Sequence, residues 1–350
     1  MSRLPDEFIK SLDGLPGVDV QQLVGALDSE PPVSIRFNPY KLSEKPEGHG
    51  VPWSRYGYYL EERPQFTLDP LLHGGAYYVQ EASSMFIEHI YREVMGERDG
   101  LRILELCAAP GGKTTLLSTL AGLESVVVAN ETMRQRAVVL ADNVKRWGLG
   151  NTVVTNNDPA HFEGFCDYFD FILVDAPCSG EGMFRKDPAA RDEWSPANVE
   201  LCARRQRRIL ADIWDTLKPG GVMVYSTCTF NRIENEDNMA WLAEEYECEP
   251  VAVNVPTEWG VVCSGEGMFR FYPGKVTGEG FFAAVVRKAD GKMRFRTPKA
   301  RKEIFSQPAK NELTEARRWV AQPEYMYFAL AGDNIHGYYS GAYPTVKTLS

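Results

Sequence analysis

From Leu101 to Lys288 short apolar runs alternate with amphipathic stretches, and no other feature restricts the folds open to this chain as much. LRILEL (101–106), SVVVAN (125–130), NTVVT (151–155), DFILVD (170–175) and GVMVYST (221–227) are brief, rich in β-branched residues and bounded by turn formers, as buried strands are. Between them Thr114–Ala121, Met133–Trp147 and Pro196–Leu217 repeat apolar residues at three and four, which predicts helices, and Leu217-Lys218-Pro219-Gly220 supplies a stop signal. The alternation predicts an α/β fold: a mostly parallel sheet with helices on both faces, because parallel neighbours need crossover connections that cover it. FFAAVVRK (281–288) fits a last strand on an antiparallel edge. Ligands of such sheets sit beyond the carboxyl ends of the strands.

The flanks differ from this core, which is taken as residues 96–288. Residues 1–95 hold no cysteine, many aromatics and turn-rich segments; a helix around Asp6–Leu27 and a strand at VSIRF (33–37) predict a small α+β domain. Residues 289–350 begin as a basic linker, continue as a helix over Asn311–Ala321 and end in an aromatic, Gly-rich segment. That tail is too small and open to hold its own core, as part of a domain cut short would be.

The net charge of −10, from 38 basic and 48 acidic residues, argues against nonspecific coating of nucleic acid, where affinity comes mainly from Lys and Arg. Distribution qualifies this. Arg287, Lys288, Lys292, Arg294, Arg296, Lys299, Arg301 and Lys302 stand against one acid, Asp290, and Arg204, Arg205, Arg207 and Arg208 form a second cluster. Each is either a solvated face or a local RNA-facing surface. No run approaches the ~18 apolar residues of a membrane span, and the amino terminus carries acids where a signal peptide has an apolar core. Seven cysteines, at 107, 166, 178, 202, 228, 248 and 263, lack disulfide-framework spacing. They predict reduced thiols in a cytoplasmic protein, with no membrane and no obligate protein partner.

LELCAAPGGKTT follows the first strand and opens a helix. Gly111 and Gly112 let backbone approach a ligand closely, and the helix end offers free N–H groups. A phosphate loop needs glycine where this chain has Cys107, and GxGxxG is missing from the loop. What remains is a strand, a tight turn and an acid beneath it, Glu105, which suits a nucleoside ligand with little phosphate such as S-adenosylmethionine. Glu131 ends the second strand, where a carboxylate can take both ribose hydroxyls, and Asp158 follows the third, placed to accept from an adenine amino group.

Asp175-Ala176-Pro177-Cys178 ends the fourth strand and Ser226-Thr227-Cys228 ends the fifth. Neighbouring parallel strands would bring Cys178 and Cys228 to one pocket with Asp175 beside them. Cys107, Cys166, Cys202 and Cys248 read as small buried hydrophobes. No Cys or His pair has zinc-ligand spacing, so no metal is expected. Two thiols and a carboxyl group beside a methyl donor suit methylation at carbon 5 of a pyrimidine. That carbon is a poor nucleophile until a thiolate adds to carbon 6. A carboxyl group at ring nitrogen 3 steadies the charge, and a base later removes the carbon 5 proton as the thiolate leaves. These residues by themselves leave open which thiol attacks.

LELCAAPGGKTT, VVANE, VDAPCSGEGMFRK and YSTCTFNRIENED resemble the signature segments of the Sun/Nop family of RNA 5-cytosine methyltransferases. RPQFTLDPLLHGGAYYVQEASSMF and GEGFFAAVVRK resemble its bacterial small-subunit rRNA branch, so the resemblance runs from about Pro64 to Lys288. It implies a Rossmann-like class I methyltransferase core, S-adenosylmethionine as cofactor, and structured RNA as partner, small-subunit rRNA before tRNA. By the same resemblance Cys107, Ala108, Ala109, Pro110, Gly111, Gly112, Lys113, Glu131, Asp158 and Asp175 contact the methyl donor or the target base. Cys228, in the Thr-Cys segment, is then the nucleophile, Cys178 assists product release, and Asp175 completes the catalytic set. Where many relatives have His in RFYPGKVTGEG this chain has Gly274, and relatives usually continue past Ser350 with an RNA-binding extension.

Two rival readings are a methyltransferase of another acceptor on the same fold and a non-catalytic RNA-binding scaffold. Asp-Ala-Pro-Cys stands where amino-group methyltransferases have Asp/Asn-Pro-Pro-aromatic, and the intact thiols and donor loop disfavour the scaffold. CSGEGMFR occurs at 178–185 and again at 263–270. Only the first copy follows a strand and Val-Asp-Ala-Pro, so the second is expected to be catalytically idle.

Overall fold

The computed structural model describes residues 3–44, 46, 48–298, 305–320, 322–339 and 341–349. Two short helices, α1 (Asp6–Ser11) and α2 (Val20–Leu27), replace the single helix expected over Asp6–Leu27. Gly14 and Gly17 between them take φ of 74° and 62°, left-handed values that end a right-handed helix. A four-stranded antiparallel sheet follows, in the order β2-β3-β1-β4. Its members are β1 (Val33–Phe37), β2 (His49–Gly50), β3 (Gly57–Leu60) and β4 (Tyr77–Val79), with α3 (Pro70–His73) preceding β4.

The core then alternates as its periodicity predicts: α4 (Phe86–Met95), β5 (Arg102–Leu106), α5 (Gly112–Leu120), β6 (Val126–Asn130), α6 (Arg134–Trp147), β7 (Thr152–Thr155) and β8 (Phe169–Asp175). It continues with α7 (Pro188–Glu193), α8 (Pro196–Trp214), β9 (Leu217–Thr227), α9 (Glu236–Glu245), β10 (Cys248–Pro250), β11 (Val262–Gly265), β12 (Met268–Phe271) and β13 (Phe281–Lys288). The sheet order is β11-β12-β13-β9-β8-β5-β6-β7, with β10 also on β13. Strands β5 to β9 pair in parallel and β13 runs antiparallel to β9. FFAAVVRK is thus antiparallel as expected but not an edge, since β12 and β11 lie outside it. Leu217-Lys218-Pro219-Gly220 opens β9 rather than closing α8, which stops at Trp214.

Side chains alternate across the sheet. Ile103, Val222 and Val224 join Phe86, Ile90 and Leu117 in the cluster over one face. Leu104, Met223 and Tyr225 join Ile209, Ile213 and Leu242 over the other. β6 is buried at every position, as a strand covered on both faces must be. α4, from the segment assigned by sequence to the N-terminal domain, therefore packs on this central sheet. α1 and α2 also leave their own sheet: Leu4, Phe8, Leu12, Leu23 and Leu27 pack on Phe184, Trp194, Phe230 and Tyr272. Gly274 belongs to this seam, since at φ 93° a Cβ there would stand 2.9 Å from Gln22 Cγ.

The basic stretch is not a free linker in its described part. Lys288 Nζ donates to Leu217 O (2.7 Å), Arg287 to Gly220 O (2.8 Å), and Arg294 pairs with Asp167 and Asp215. Phe295 stacks on Tyr168 at 5.7 Å. Lys299, Arg301 and Lys302 lie outside the described residues. α10 (Lys310–Arg318) falls on the helix expected over Asn311–Ala321, although Ala321 itself lies outside the described residues. A hairpin of β14 (Met326–Ala331) and β15 (Asn334–Tyr339) and a last helix, α11 (Tyr343–Leu349), complete the chain. This tail docks on the core: Ala342 joins the sheet's cluster and Tyr168 Oη meets Thr345 Oγ1 at 2.7 Å. Among the described residues no helix is long and apolar enough to cross a membrane.

Candidate active site

The carboxyl ends of β5, β8 and β9 open into one cavity of about 710 Å³, closed on its far side by β4 and the residues after it. The loop after β5 turns tightly, with Gly111 at φ 111° and α5 beginning at Gly112. A Cβ on Gly111 would stand 3.1 Å from Leu140 Cδ1, which is why the turn needs glycine. The loop is braced from the N-terminal sheet by Arg36, fully buried, which donates to Gln80 Oε1 (2.7 Å) and Thr115 Oγ1 (2.5 Å). Burial pulls the Arg36 guanidinium down to about 10. Cys107 lines the cavity, and burial pushes its thiol up to about 12, so it serves as wall rather than nucleophile.

Glu105 lies under the loop and is 1% exposed; its Oε2 has no hydrogen-bond partner. Burial pushes its carboxyl up to about 8. At neutral pH the native state therefore holds a proton that the unfolded chain, with its carboxyl near 4.5, has released. A proton bound only in the native state makes stability fall as pH rises, here between about 4.5 and about 8. Glu105→Gln is a neutral mimic and should flatten that decline by up to ~1 kcal/mol per pH unit. Melting curves of the two proteins that stay parallel across this pH range would refute the assignment.

Asp175 stands at the mouth of β8, its Oδ2 paired with Lys113 Nζ (2.8 Å) and its Oδ1 accepting from Ser226 Oγ (2.9 Å). Burial opposes the charge on Lys113, but the Asp175 and Glu105 carboxylates outweigh it and raise the ammonium pKa. The two thiols meet just past the ends of β8 and β9, Cys178 Sγ lying 3.1 Å from Cys228 Sγ. The hydrogen bond to Cys228, then burial, then the charges of Cys228 and Glu234 hold the Cys178 thiol well above its ordinary value. The two sulfurs are within hydrogen-bond distance, and either can be the donor. Gly182 allows this approach: its N–H donates to Cys228 O at 2.8 Å, and a Cβ would lie 2.5 Å from Gly280 O and 2.9 Å from Cys228 O.

The structure thus brings Cys107 to Pro110, Gly112, Lys113, Asp175, Cys178 and Cys228 to one cavity. Glu131 sits just behind it, 1% exposed, accepting from Met133 N (3.0 Å) and Ala109 N (3.4 Å). Asp158 is not brought there. It caps the turn that starts at Pro159, accepting from Ala160 N at 3.1 Å, and holds Arg208 at 2.6 and 2.7 Å. That Arg208 contact keeps its carboxyl below the ordinary value. Sequence reasoning missed Arg136, which lines the cavity, donates to Ala109 O (2.7 Å) and lies 3.4 Å from Glu131. It also missed the wall from Tyr78, Gln80 and Glu81, which no local pattern marks. Among the described residues no group of His, Cys, Asp and Glu could hold a metal ion.

The second CSGEGMFR is a hairpin between β11 and β12, with Cys263 exposed and Arg270 buried on Glu236. Cys263→Ser should leave activity near wild type. A folded Cys263→Ser protein without activity would show that sequence context misled the choice between the copies.

Fold and cavity together are those of the class I, Rossmann-like methyltransferase fold. A methyltransferase homolog protein from Pyrococcus horikoshii has this fold at a TM-score of 0.66 and 26% identity, over 81% of this chain and 100% of that one. NSun6 from the same organism gives 0.67 at 21% identity, over 82% and 99%. The sequence model of the 16S rRNA methyltransferase RsmB/F family matches residues 93–287, and that of the N-terminal domain of 16S rRNA methyltransferase RsmF matches residues 4–82. The chain belongs to the RsmB/F family. Ribosomal RNA small subunit methyltransferase F of Pectobacterium atrosepticum is 36% identical over 90% of this chain and 70% of its own length. That of Pectobacterium carotovorum is 35% identical over 82% and 63%, so the chain spans about two thirds of these relatives.

Proposed function

We propose that the chain is an S-adenosylmethionine-dependent RNA cytosine-C5 methyltransferase that acts on small-subunit rRNA in the cytoplasm. The observation that carries this is the contact of two thiols at adjacent strand ends, in the same cavity as the Lys113–Asp175 pair and the glycine-rich loop. The cavity suits the donor: the buried Glu105 Oε2 is unpartnered at its floor, under the glycine-rich loop. The loop from Cys107 to Lys113, with Glu131 behind it, would hold the donor, which when bound supplies an electrophilic methyl group to carbon 5.

The chain's own residues do the rest. Cys228 adds to carbon 6 as thiolate, moving the electron pair of the 5,6 double bond to carbon 5. Asp175, held by Lys113 and Ser226, exchanges a proton at ring nitrogen 3 and so spreads the charge of the adduct. Once carbon 5 carries its methyl group, a base takes the carbon 5 proton, the freed electron pair restores the 5,6 double bond, and the carbon–sulfur pair leaves with Cys228 as thiolate. Cys178, touching the departing sulfur, is positioned to assist that step. Incubation of the purified chain with donor labelled in the methyl group and with 16S rRNA tests the proposal. Label recovered as 5-methylcytidine supports it; label in another nucleoside, or none, refutes it.

A further inference from the structure

Behind the thiols lie two carboxylates that take no part in these steps, Glu181 and Glu234, both 0% exposed. We infer that they are positioning residues forming a reciprocal clamp, in which each cysteine loop inserts a glutamate into the other and so sets the Cys178–Cys228 contact. Glu181 follows Cys178 in its loop. Its Oε2 accepts from Thr229 Oγ1 (2.7 Å), Phe230 N (2.7 Å) and Asn231 N (2.9 Å), all just after Cys228. Glu234, after Cys228, reaches back. It accepts from Ser179 N at 3.1 Å and from Gln206 Nε2 at 2.6 Å, while the same Gln206 nitrogen donates to Pro177 O at 3.0 Å. Both neighbours of Cys178 are thereby fixed by one carboxylate. Asn231 Nδ2 ties the two halves together, 3.1 Å from Glu181 Oε1 and 2.7 Å from Glu234 Oε1.

Buried charges of this kind contribute little net stability, because desolvation offsets what their hydrogen bonds return. What they add is geometry: a carboxylate accepting several donors from one loop tolerates only small displacements of that loop. The inference rests on the proposed reaction, in which attack by Cys228 and release aided by Cys178 need both sulfurs at one carbon–sulfur bond.

The test reads thiol proximity directly. Dibromobimane links two thiols, each sulfur displacing one bromide, and fluoresces strongly once doubly alkylated. The whole chain, without RNA or donor, should give a bridged Cys178–Cys228 product, identified by peptide mass spectrometry, with Cys178→Ala as background. Glu181→Gln cannot adapt by turning its amide: Oε2 faces two backbone N–H groups and Oε1 faces Trp194 Nε1 (2.9 Å), so an NH2 meets a donor either way. Glu181→Gln and Glu234→Gln should bridge about tenfold more slowly or worse, while circular dichroism shows them folded. Wild-type bridging in either folded variant overturns the clamp. If both melt below assay temperature, Gln206→Leu, which removes one strut only, decides: slower bridging supports the clamp and unchanged bridging overturns it. Slower bridging in the variants, with a Cys178→Ala protein that forms no donor-dependent RNA adduct, would sink the proposed reaction and leave the clamp standing.

Discussion

Cys228→Ala will lose both methyl transfer and any covalent protein–RNA adduct, whereas Cys178→Ala will accumulate that adduct. The two thiols are 3.1 Å apart, so position alone does not distinguish them. The resemblance puts Cys228, in the Thr-Cys segment, in the attacking role, and the surroundings of Cys178 agree with that. Cys178 is held as a thiol by the bond to Cys228, by burial and by the negative charge of Glu234. A sulfur kept protonated is a poor nucleophile, since the thiolate is the attacking form. Without Cys228 no bond to carbon 6 forms, and turnover should fall by at least ~10³-fold. Without Cys178 attack and methyl transfer still occur, but release stalls. The product is a protein–RNA band that survives denaturing electrophoresis and requires the methyl donor. An adduct on Cys228→Ala instead would give the nucleophile's role to Cys178.

Asp175→Asn should fold and yet turn over roughly 100-fold or more slowly, the range for loss of a general acid–base group. The amide keeps the size of the side chain and can still accept from Ser226 Oγ or Lys113 Nζ, so the cavity should keep its shape, with a lowered melting temperature as the cost of the lost charge. It cannot exchange a proton with ring nitrogen 3, and it leaves the Lys113 ammonium without its counter-charge. Single-turnover rates measured with saturating donor separate the effects. A slow chemical step at unchanged donor affinity agrees with the role proposed for Asp175. Wild-type single-turnover rates would remove Asp175 from the chemistry.

The core sheet was legible because each strand and helix carries its own period. Burial on both faces makes parallel strands continuous apolar runs, and β6 and β8 read that way without any partner in view. The glycine-rich loop and the cysteines were legible for a related reason: parallel topology puts every strand's carboxyl end on one side of the sheet. The same rule puts Asp158 after a strand on the correct side, where the Pro159 turn and Arg208 from α8 hold its carboxylate outside the cavity lining.

The chain's own letters therefore determined the α/β class, the glycine-rich loop and the meeting of Cys178, Cys228 and Asp175, all of which follow from local periodicity and the sense of the strands. Only the tertiary structure decided what encloses and braces them. Arg36 reaches Thr115 across 79 positions, Glu181 reaches Phe230 across 49, and Arg185 reaches Glu279 across 94. No local period pairs these residues across such separations. The two copies of CSGEGMFR carry the lesson furthest. Identical residues form the loop that carries Cys178 into the cavity where Glu181 finds the backbone of Phe230 and Asn231, and a plain hairpin where β11 turns back on β12. A buried carboxylate takes its meaning from the donors that fold around it, and those come from elsewhere in the chain.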